Sequence, residues 1–168
     1  RSPYDLATPE AFEREPEIVW EWYRERREAL RRAEPNAAHR ALARLACALP
    51  DLLLVTQNVD ELHERAGVRA DPLVHIHGEI LVDRCTRCAW RARPGDDDAG
   101  KIGAAAARCG GSFSDVATRA AEAALPPDAT QSPAPVSSIP YCPRCGSLVR
   151  PDVVWFGGSL PYDAWQAA

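Results

Sequence analysis

The stretch Leu52-Leu53-Leu54-Val55-Thr56-Gln57-Asn58-Val59-Asp60 decides the fold. Its first four side chains are apolar without interruption, which is typical of a strand buried on both faces of a parallel sheet. The polar residues that follow would lie at the carboxyl end of that strand, where ligands bind in open α/β sheets. We therefore expect Gln57, Asn58 and Asp60 to form part of a binding site.

A second short strand is predicted over residues 73–76, and it ends at His77-Gly78. Because the carboxyl ends of parallel strands meet at one edge of a sheet, His77 would face the polar cluster that follows the first strand. Its ordinary pKa lies near neutrality, which suits a general base. A single histidine at such a place is more often a hydrogen-bonded structural residue, so the residues alone leave both interpretations open.

The segments before and between these strands have helical patterns. Thr8 is suited to cap one helix, Pro16 to begin a second, and Asn36 to cap a third that ends at Pro50. The alternation of helix, strand, helix and strand predicts an α/β fold with a parallel sheet. A final strand is predicted over Val153-Val154-Trp155-Phe156, where Gly157-Gly158 would end it.

The second predicted helix carries Val19, Tyr23, Arg26 and Leu30 at helical spacing, which places them on one stripe. An arginine on an otherwise apolar stripe needs a carboxylate partner, which its guanidinium fork binds in a bidentate manner. Three-residue spacing puts the Tyr23 phenol and the Arg26 guanidinium on the same face. The alternative is an arginine that extends to solvent or pairs with a glutamate.

The composition is that of an ordinary globular chain, with 168 residues, 46% of them hydrophobic and 26% charged, and a formal net charge of −4. These values exclude collagen-like, wholly disordered and membrane-spanning chains. The mildly acidic balance argues against a nucleic-acid partner, because binding to phosphates needs a surplus of Lys and Arg. We expect an intracellular protein, and the sequence does not distinguish a mitochondrial, cytoplasmic or nuclear location.

Two Cys-x-x-Cys pairs predict a structural zinc site formed by Cys85, Cys88, Cys142 and Cys145. Together the pairs supply four thiolates for one tetrahedral ion. The competing interpretation is two independent redox pairs, but neither pair opens a helix after a strand.

A low-complexity insertion is predicted at about residues 91–138, between the two cysteine pairs. It makes the spacing of the pairs longer than the about 15–20 residues of simple zinc ribbons. Lengthening a surface loop costs little entropy, so the zinc site tolerates it. We expect Cys109 to be a free thiol inside the insertion and Cys47 to be a core residue of the third helix.

Several motifs, taken together, resemble those of the sirtuins, the NAD-dependent protein-lysine deacylases. They occur in one order along the chain: Pro35-Asn36-Ala37-Ala38-His39-Arg40-Ala41-Leu42, Thr56-Gln57-Asn58-Val59-Asp60-Glu61-Leu62-His63, Arg65-Ala66-Gly67, His77-Gly78, the two Cys-x-x-Cys pairs, and Val154-Trp155-Phe156-Gly157. The resemblance implies an α/β fold with a partial Rossmann-like parallel sheet, helices and a small zinc-ribbon module.

The resemblance also implies a role for individual residues. His77 corresponds to the general base that activates the ribose hydroxyls of the co-substrate NAD. The cluster around nicotinamide and its ribose corresponds to Gln57, Asn58 and Asp60. The segment that pairs as a strand with an acyl-lysine protein or peptide corresponds to Val154, Trp155, Phe156 and Gly157. The ligands of a structural Zn²⁺ correspond to Cys85, Cys88, Cys142 and Cys145.

Tyr23 and Arg26 resemble the Tyr-x-x-Arg signature of class III sirtuins, which remove acidic acyl groups. The implied substrates are succinyl-, malonyl- or glutaryl-lysine, and the implied products are nicotinamide, O-acyl-ADP-ribose and free lysine.

The chain also departs from the family pattern. The family's Gly-Ala-Gly phosphate loop should precede Tyr4, its Gly-Thr-Ser loop should follow Trp165, and neither motif occurs in the sequence. Gly158 stands where the family often has an acidic residue. Met is also absent, so we expect an internal fragment. We expect little or no activity from these residues by themselves, because the phosphates of NAD would lack their cradle. We also expect a monomer. A catalytically incomplete zinc protein that acts as a binding module is the alternative.

Three regions are expected along the chain. Residues 1–80 would form the central part of the Rossmann-like domain, with the acyl-pocket helix. Residues 81–150 would form the zinc module with its insertion. Residues 151–168 would return to the first domain with the substrate-binding strand.

Overall fold

The computed structural model describes residues 2–69, 73–93 and 139–160. In this part of the chain the helices are α1 (Pro3–Leu6), α2 (Pro9–Arg14), α3 (Pro16–Arg32), α4 (Ala37–Ala48) and α5 (Leu62–Arg65). The strands are β1 (Leu54–Thr56), β2 (Leu73–His75), β3 (Gly78–Cys85), β4 (Arg91–Ala92) and β5 (Val149–Val153). Cys109 and nearly all of the predicted insertion lie outside the described residues. Among the helices that are described, none has the length and apolar character needed to cross a membrane.

The helices begin at the capping residues that the sequence predicts. Thr8 Oγ1 accepts a hydrogen bond from the backbone N–H of Ala11 at 3.1 Å. Asn36 Oδ1 accepts from the N–H groups of Ala38 and His39 at 2.9 and 3.1 Å. Each bond satisfies a donor that the first turn of a helix leaves unpaired. The three predicted helices are confirmed as α2, α3 and α4.

β1 and β2 form a parallel pair in which Thr56 lies opposite His75. This pairing confirms the predicted α/β class and brings the carboxyl ends of the two strands together. The prediction that β1 is buried on both faces is wrong, because Leu53 is 41% exposed and Val55 is 42% exposed. The described part of the chain leaves that face of the strand open.

β3 lies at the centre of a second sheet and pairs antiparallel with β4 and β5. The prediction of a final strand over residues 153–156 is wrong, since the strand is β5, which begins at Val149 and ends at Val153. Pro151 and Asp152 make this strand hard to predict from the sequence, because proline and charged residues are rare inside strands. Asp152 is buried and is compensated by ion pairs with arginines of β3 and β4.

The hydrophobic core lies between α3 and the second sheet. Val19 of α3 and Val149 of β5 are both fully buried, and Trp20 is 2% exposed. The indole Nε1 of Trp20 donates to the Val149 carbonyl at 2.8 Å, so its one polar group is satisfied inside the core. This packing fixes α3, and with it Tyr23, against the sheet that follows His77.

The buried arginine of α3 is Arg27, so the prediction that Arg26 lies on the apolar stripe is wrong. Arg27 is 6% exposed and donates to the Ile80 carbonyl at 2.7 Å and to the Asp83 carboxylate at 2.6 Å. The pairing of β3 with β5 has an irregularity between Glu79 and Asp83. The guanidinium of Arg27 therefore binds the Ile80 carbonyl, which lies in the irregular part of the ladder, and also pairs with the Asp83 carboxylate. Arg26 is exposed.

α4 turns most of its apolar side chains to the surface of the described structure. Leu45 is 43% exposed and Leu49 is 49% exposed, whereas Ala43 is buried and packs against Val68 in a small second cluster. Cys47, which the sequence places in the core, is exposed. α4 therefore has the apolar stripe that its sequence predicts, but the described residues do not cover the side chains of that stripe.

Candidate functional site

The carboxyl ends of β1 and β2 bring His77 against the polar loop that follows β1. His77 Nδ1 lies 2.9 Å from the carbonyl oxygen of Gln57. A carbonyl oxygen only accepts hydrogen bonds, so Nδ1 carries the proton and Nε2 keeps its lone pair. Within the described part of the chain, Nε2 has no hydrogen-bond partner. The imidazole is thus held in the tautomer that can accept a proton from a bound hydroxyl.

Local hydrogen bonds fix the backbone of the loop that faces His77. The N–H of Asn58 donates to Thr56 Oγ1 at 3.1 Å, and Asp60 Oδ1 accepts from the N–H of Leu62 at 3.0 Å. The side chains of Gln57 and Asn58 are exposed, so their amides are available to a ligand. The structure therefore brings the four predicted residues of this edge together.

Gly78 is the residue that lets the backbone turn directly after His77. Its φ is +82°, and a Cβ there would clash with the carbonyl oxygen of Asp152. Any other residue would meet both left-handed strain and a backbone clash. Glycine at position 78 is thus a geometric requirement of the close approach between β3 and β5.

The segment after β5 is joined to the base on one side and to the N-terminal helices on the other. The N–H of Val154 donates to the carbonyl of His77 at 2.8 Å. The N–H of Phe156 donates to the carbonyl of Ala7 at 2.9 Å, and the Phe156 ring lies 4.5 Å from that of Tyr4. The predicted peptide-pairing segment therefore begins in direct contact with the residue predicted as general base.

Tyr23 and Trp155 form a buried hydrogen-bonded pair. The indole Nε1 of Trp155 donates to the Tyr23 hydroxyl oxygen at 2.9 Å. Burial raises the pKa of Tyr23 to about 12, although the Trp155 bond and the nearby guanidinium groups of Arg150 and Arg26 act in the opposite direction. The phenol stays protonated at neutral pH. Because Trp155 occupies an acceptor site of the oxygen, the O–H remains to donate.

Arg26 stands apart from these contacts, on the exposed side of α3. Its guanidinium lies 3.9 Å from the centre of the Trp22 ring, which is a cation–π arrangement. Among the described residues it forms no ion pair with a carboxylate. The structure brings Tyr23 to the segment that begins at Val154, and it leaves Arg26 one turn further along the helix.

Four cysteine sulfurs meet at the end of β3. All four Sγ atoms lie within 4.8 Å of one another. Cys85 Sγ and Cys145 Sγ are 3.4 Å apart, and Cys88 Sγ and Cys142 Sγ are 3.6 Å apart. Four sulfurs at about 2.3 Å from a central Zn²⁺ would be separated by about 3.8 Å, so the cluster fits tetrahedral zinc. Four thiolates leave no coordination position for a substrate, which is the pattern of a structural site.

Two residues that the sequence interpretation missed also contact the site. His75 Nδ1 lies 3.0 Å from the carbonyl oxygen of Asn58. A signal for it existed, because His75 lies two positions before His77, the spacing at which side chains of an extended chain share a face. The guanidinium of Arg150 lies 4.3 Å from the centre of the Trp155 ring. No pattern signals Arg150, since the strand that carries it was not predicted.

Comparison with known proteins follows the same motifs. The Sir2 family model matches residues 1–98 and 96–168 of the chain. An NAD-dependent protein deacylase of Aeropyrum pernix is 41% identical over 162 residues, which are 94% of this chain and 49% of that protein. An NAD-dependent protein deacylase of Methylococcus capsulatus is 42% identical over 165 residues, which are 97% of this chain and 52% of that protein. The chain thus spans about half the length of the curated relatives it matches.

Solved structures give the same match in three dimensions. A Sir2 homologue in complex with NAD superposes with a TM-score of 0.68 at 37% identity, over 99% of this chain and 50% of that one. A Sir2 protein with a p53 peptide and NAD⁺ superposes with a TM-score of 0.64 at 26% identity, over 99% of this chain and 55% of that one. These superpositions establish the Rossmann-like α/β fold of the matched half.

Proposed function

Because this chain belongs to the Sir2 family, we propose that it forms the part of an NAD-dependent protein-lysine deacylase that holds the general base, the acyl-lysine site and a structural zinc. The observation that carries the proposal is the fixed tautomer of His77, whose Nδ1–H is bound to the Gln57 carbonyl. A base with one defined lone pair at the carboxyl edge of a parallel sheet is what proton abstraction from a ribose hydroxyl requires.

Three residues of the polar loop would hold the nicotinamide end of NAD. NAD, the co-substrate, supplies the ribose carbon that receives the acyl oxygen when nicotinamide departs. Gln57 and Asn58 offer exposed amides for the nicotinamide and ribose, and Asp60 offers a carboxylate oxygen. His77 Nε2 takes the proton of a ribose hydroxyl, and the Gln57 carbonyl stabilises the resulting imidazolium through its bond to Nδ1–H.

The acylated peptide would bind along Val154, Trp155, Phe156 and Gly157, by addition of a strand to exposed backbone groups. The bond from the N–H of Val154 to the His77 carbonyl supports this proposal, because it places the segment beside the base. Similarity to the Sir2 structure with a bound p53 peptide points the same way.

We further propose that the preferred acyl group is acidic, namely succinyl, malonyl or glutaryl. Tyr23 supports this preference because its hydroxyl is protonated and has an O–H to donate. Arg26 supports it because its guanidinium has no carboxylate partner within the described residues and is held only against Trp22. Rotation of the Arg26 side chain about its own flexible bonds would bring a second donor to the same carboxylate.

The phosphates and adenosine of NAD would bind to residues beyond those of this chain. The relatives named above are about twice as long, and the family's glycine-rich phosphate loop has no counterpart in the sequence. We therefore propose that the 168 residues have little turnover by themselves, because the pyrophosphate lacks its cradle.

The proposal is tested with the chain itself and with a chimaera in which it replaces the matching half of the Aeropyrum pernix deacylase. We expect NAD-dependent release of nicotinamide by the chimaera, and a fall of at least about 100-fold in kcat for His77→Ala. A folded chimaera that binds zinc and releases no nicotinamide would contradict the proposal and favour the zinc binding module.

The acyl preference is tested by Arg26→Met in the same chimaera. Loss of a charge-assisted pair is expected to lower kcat/KM for a succinyl peptide by about 10- to 100-fold and to leave an acetyl peptide within about twofold. Arg31→Met is the matched control, because Arg31 lies on the same helix and is exposed in an ion pair with Glu28. Equal losses for the two peptides would refute the acidic preference.

A further inference from the structure

His75 is a mostly buried histidine that uses both of its ring nitrogens. Nδ1 lies 3.0 Å from the carbonyl oxygen of Asn58, and Nε2 lies 2.9 Å from Glu64 Oε1. The side chain of His75 is only 10% exposed. One imidazole therefore connects α5, which carries Glu64, to the loop that follows β1.

The two contacts define the protonation of the pair. The Asn58 carbonyl only accepts, so Nδ1 of His75 carries a proton, and an ionised Glu64 requires a second proton on Nε2. Burial lowers the pKa of His75, but its bonds to Glu64 and Asn58 outweigh that effect and leave the pKa above its ordinary value. Burial raises the pKa of Glu64, and its bond to His75 leaves the pKa below its ordinary value. Both directions describe an ion pair.

The bond from His75 to the loop has a counterpart at His77. These two residues alternate on the chain, and their Nδ1 atoms lie 3.0 and 2.9 Å from the carbonyl oxygens of Asn58 and Gln57. Two successive carbonyls of the loop are thus held by two histidines, one at the end of β2 and one in the turn that follows it. The direction of the Asn58 side chain follows from the orientation of these peptide groups.

The pair is not built as an efficient stabilising contact. Glu64 Oε2 is buried and has no hydrogen-bond partner within the described residues. An ion pair that leaves a buried oxygen unsatisfied contributes little net stability, because desolvation offsets the attraction. Its geometric effect on the loop is what remains.

We propose that His75, oriented by Glu64, is a positioning residue that holds the Asn58 carbonyl and so fixes the Gln57–Asp60 loop. Its consequence for NAD rests on the proposed function, whereas the effect on the loop does not. Arg93, Glu79 and His63 also act electrostatically on this pair, and the substitutions that test the proposal leave them unchanged.

Two substitutions separate the two contacts of the ring. In His75→Asn the amide nitrogen takes the place of Nδ1 and still donates to the Asn58 carbonyl. In His75→Gln the amide nitrogen takes the place of Nε2 and keeps only the contact with Glu64. The two variants make comparable changes in size and polarity, so each serves as the control for the other.

Hydrogen exchange of the Asn58 and Leu62 amides, followed by NMR in the chain without any ligand, is the decisive measurement. We expect His75→Gln to accelerate their exchange by at least about fivefold, the equivalent of one lost hydrogen bond, and His75→Asn to stay within about twofold of the parent. The Trp20 amide in α3 reports global opening and should not change. Equal acceleration in both variants, or acceleration of Trp20 to the same extent, would overturn the proposal.

The chimaera then connects the loop to NAD. His75→Gln should raise the KM for NAD by at least about fivefold with a smaller change in kcat, and His75→Asn should restore the parent KM. An unchanged KM in His75→Gln would overturn the consequence for NAD. A chimaera without any turnover would instead refute the proposed function, and the exchange measurement would still decide the role of His75.

Discussion

Two adjacent residues, His77 and Gly78, illustrate how function and backbone geometry share one position. The Gln57 carbonyl fixes the tautomer of the His77 imidazole. The carbonyl of Asp152 lies so close to Gly78 that no side chain fits there. A substitution at Gly78 would therefore move the backbone beside His77 and leave the imidazole itself unchanged.

Gly78→Ala should destabilise the chain by roughly 2 to 4 kcal/mol, because positive φ and a backbone clash add. Gly67→Ala is the control, since Gly67 has a φ of +103° and open space around the position of a Cβ. We expect about 1 kcal/mol there, from conformational strain alone. Urea unfolding of both variants gives the comparison, and equal costs would show that the contact with Asp152 does not matter.

The ion pair of His75 and Glu64 predicts a pH-dependent stability. The raised pKa of His75 gives a contribution that is present below about pH 6.5 and lost as the pH rises through the higher folded value. The lowered pKa of Glu64 gives a contribution that is present above about pH 4.5 and lost as the pH falls through the lower folded value. The pair is therefore most favourable between these limits.

Glu64→Gln is the variant that isolates this effect. The difference in unfolding free energy between the parent and the variant should be about 1 kcal/mol greater at pH 5.5 than at pH 9 or pH 3. Urea unfolding at the three pH values measures it. A difference that does not vary with pH would mean that the two side chains are not ionised together.

Arg26 and Arg27 show what a sequence pattern cannot decide at this scale. Residues 19, 23, 26 and 30 and residues 19, 23, 27 and 30 both follow helical spacing, so periodicity allows either arginine on the buried face. The choice is made by Ile80 and Asp83, more than fifty positions away in the chain. No local rule contains that information.

At the scale of elements, prediction succeeded where the signal is local. The starts of α2, α3 and α4 and the parallel pair of β1 and β2 were predicted, because caps and short apolar runs are read from neighbouring residues. β5 was placed too late, because its proline and its charged residues are tolerated only through pairing with β3 and β4. The position of His77 at the carboxyl edge of the sheet was predicted correctly, because it follows from where the two short strands β1 and β2 end.

The cysteine cluster determines how β3 and β5 stay together at their outer end. Cys85 is the last residue of β3, and Cys142 and Cys145 precede β5. Zinc removal by a chelator should abolish the cooperative unfolding of this sheet, because the binding energy of a structural metal is also folding energy.

Cys142→Ser is expected to reduce bound zinc from about one ion per chain to a small fraction and to lower the unfolding temperature. Ala48→Ser is the control, because Ala48 is an exposed residue at the end of α4 and is not part of the cluster. Metal analysis and thermal unfolding on the same samples measure both effects. Full zinc occupancy in Cys142→Ser would contradict the four-sulfur site.

At the scale of the whole molecule, the main core of the described residues lies on one side. α3 and the second sheet enclose this core, whereas in and next to α4 and β1 the side chains of Leu45, Leu49, Leu53 and Val55 are 41% to 49% exposed. The apolar run of β1 predicted a strand that is buried on both faces, which requires packing partners on both sides of the sheet. Nothing in a local apolar run indicates where those partners come from.

This open face predicts concentration-dependent self-association of the 168-residue chain, in place of the monomer expected from the sequence. Leu45→Lys combined with Leu49→Lys should reduce the associated fraction severalfold and change the unfolding free energy by less than about 0.5 kcal/mol, since both side chains are exposed. Sedimentation at several concentrations measures it. Tyr141→Lys, at a 66% exposed position elsewhere, is the control. Unchanged association in the double variant would show that the face is not adhesive.

Arg26 and Arg27, the neighbouring arginines of α3, are subject to different constraints on sequence evolution. Arg27 donates hydrogen bonds to a carbonyl and a carboxylate of β3, and these bonds attach the helix to the strand that follows His77. Arg26 packs its guanidinium on the ring of Trp22. On the proposed function, a single codon change at position 26 can alter the acyl preference without a folding penalty. Position 27 has no such freedom, and the fold and the specificity can evolve separately although their residues adjoin.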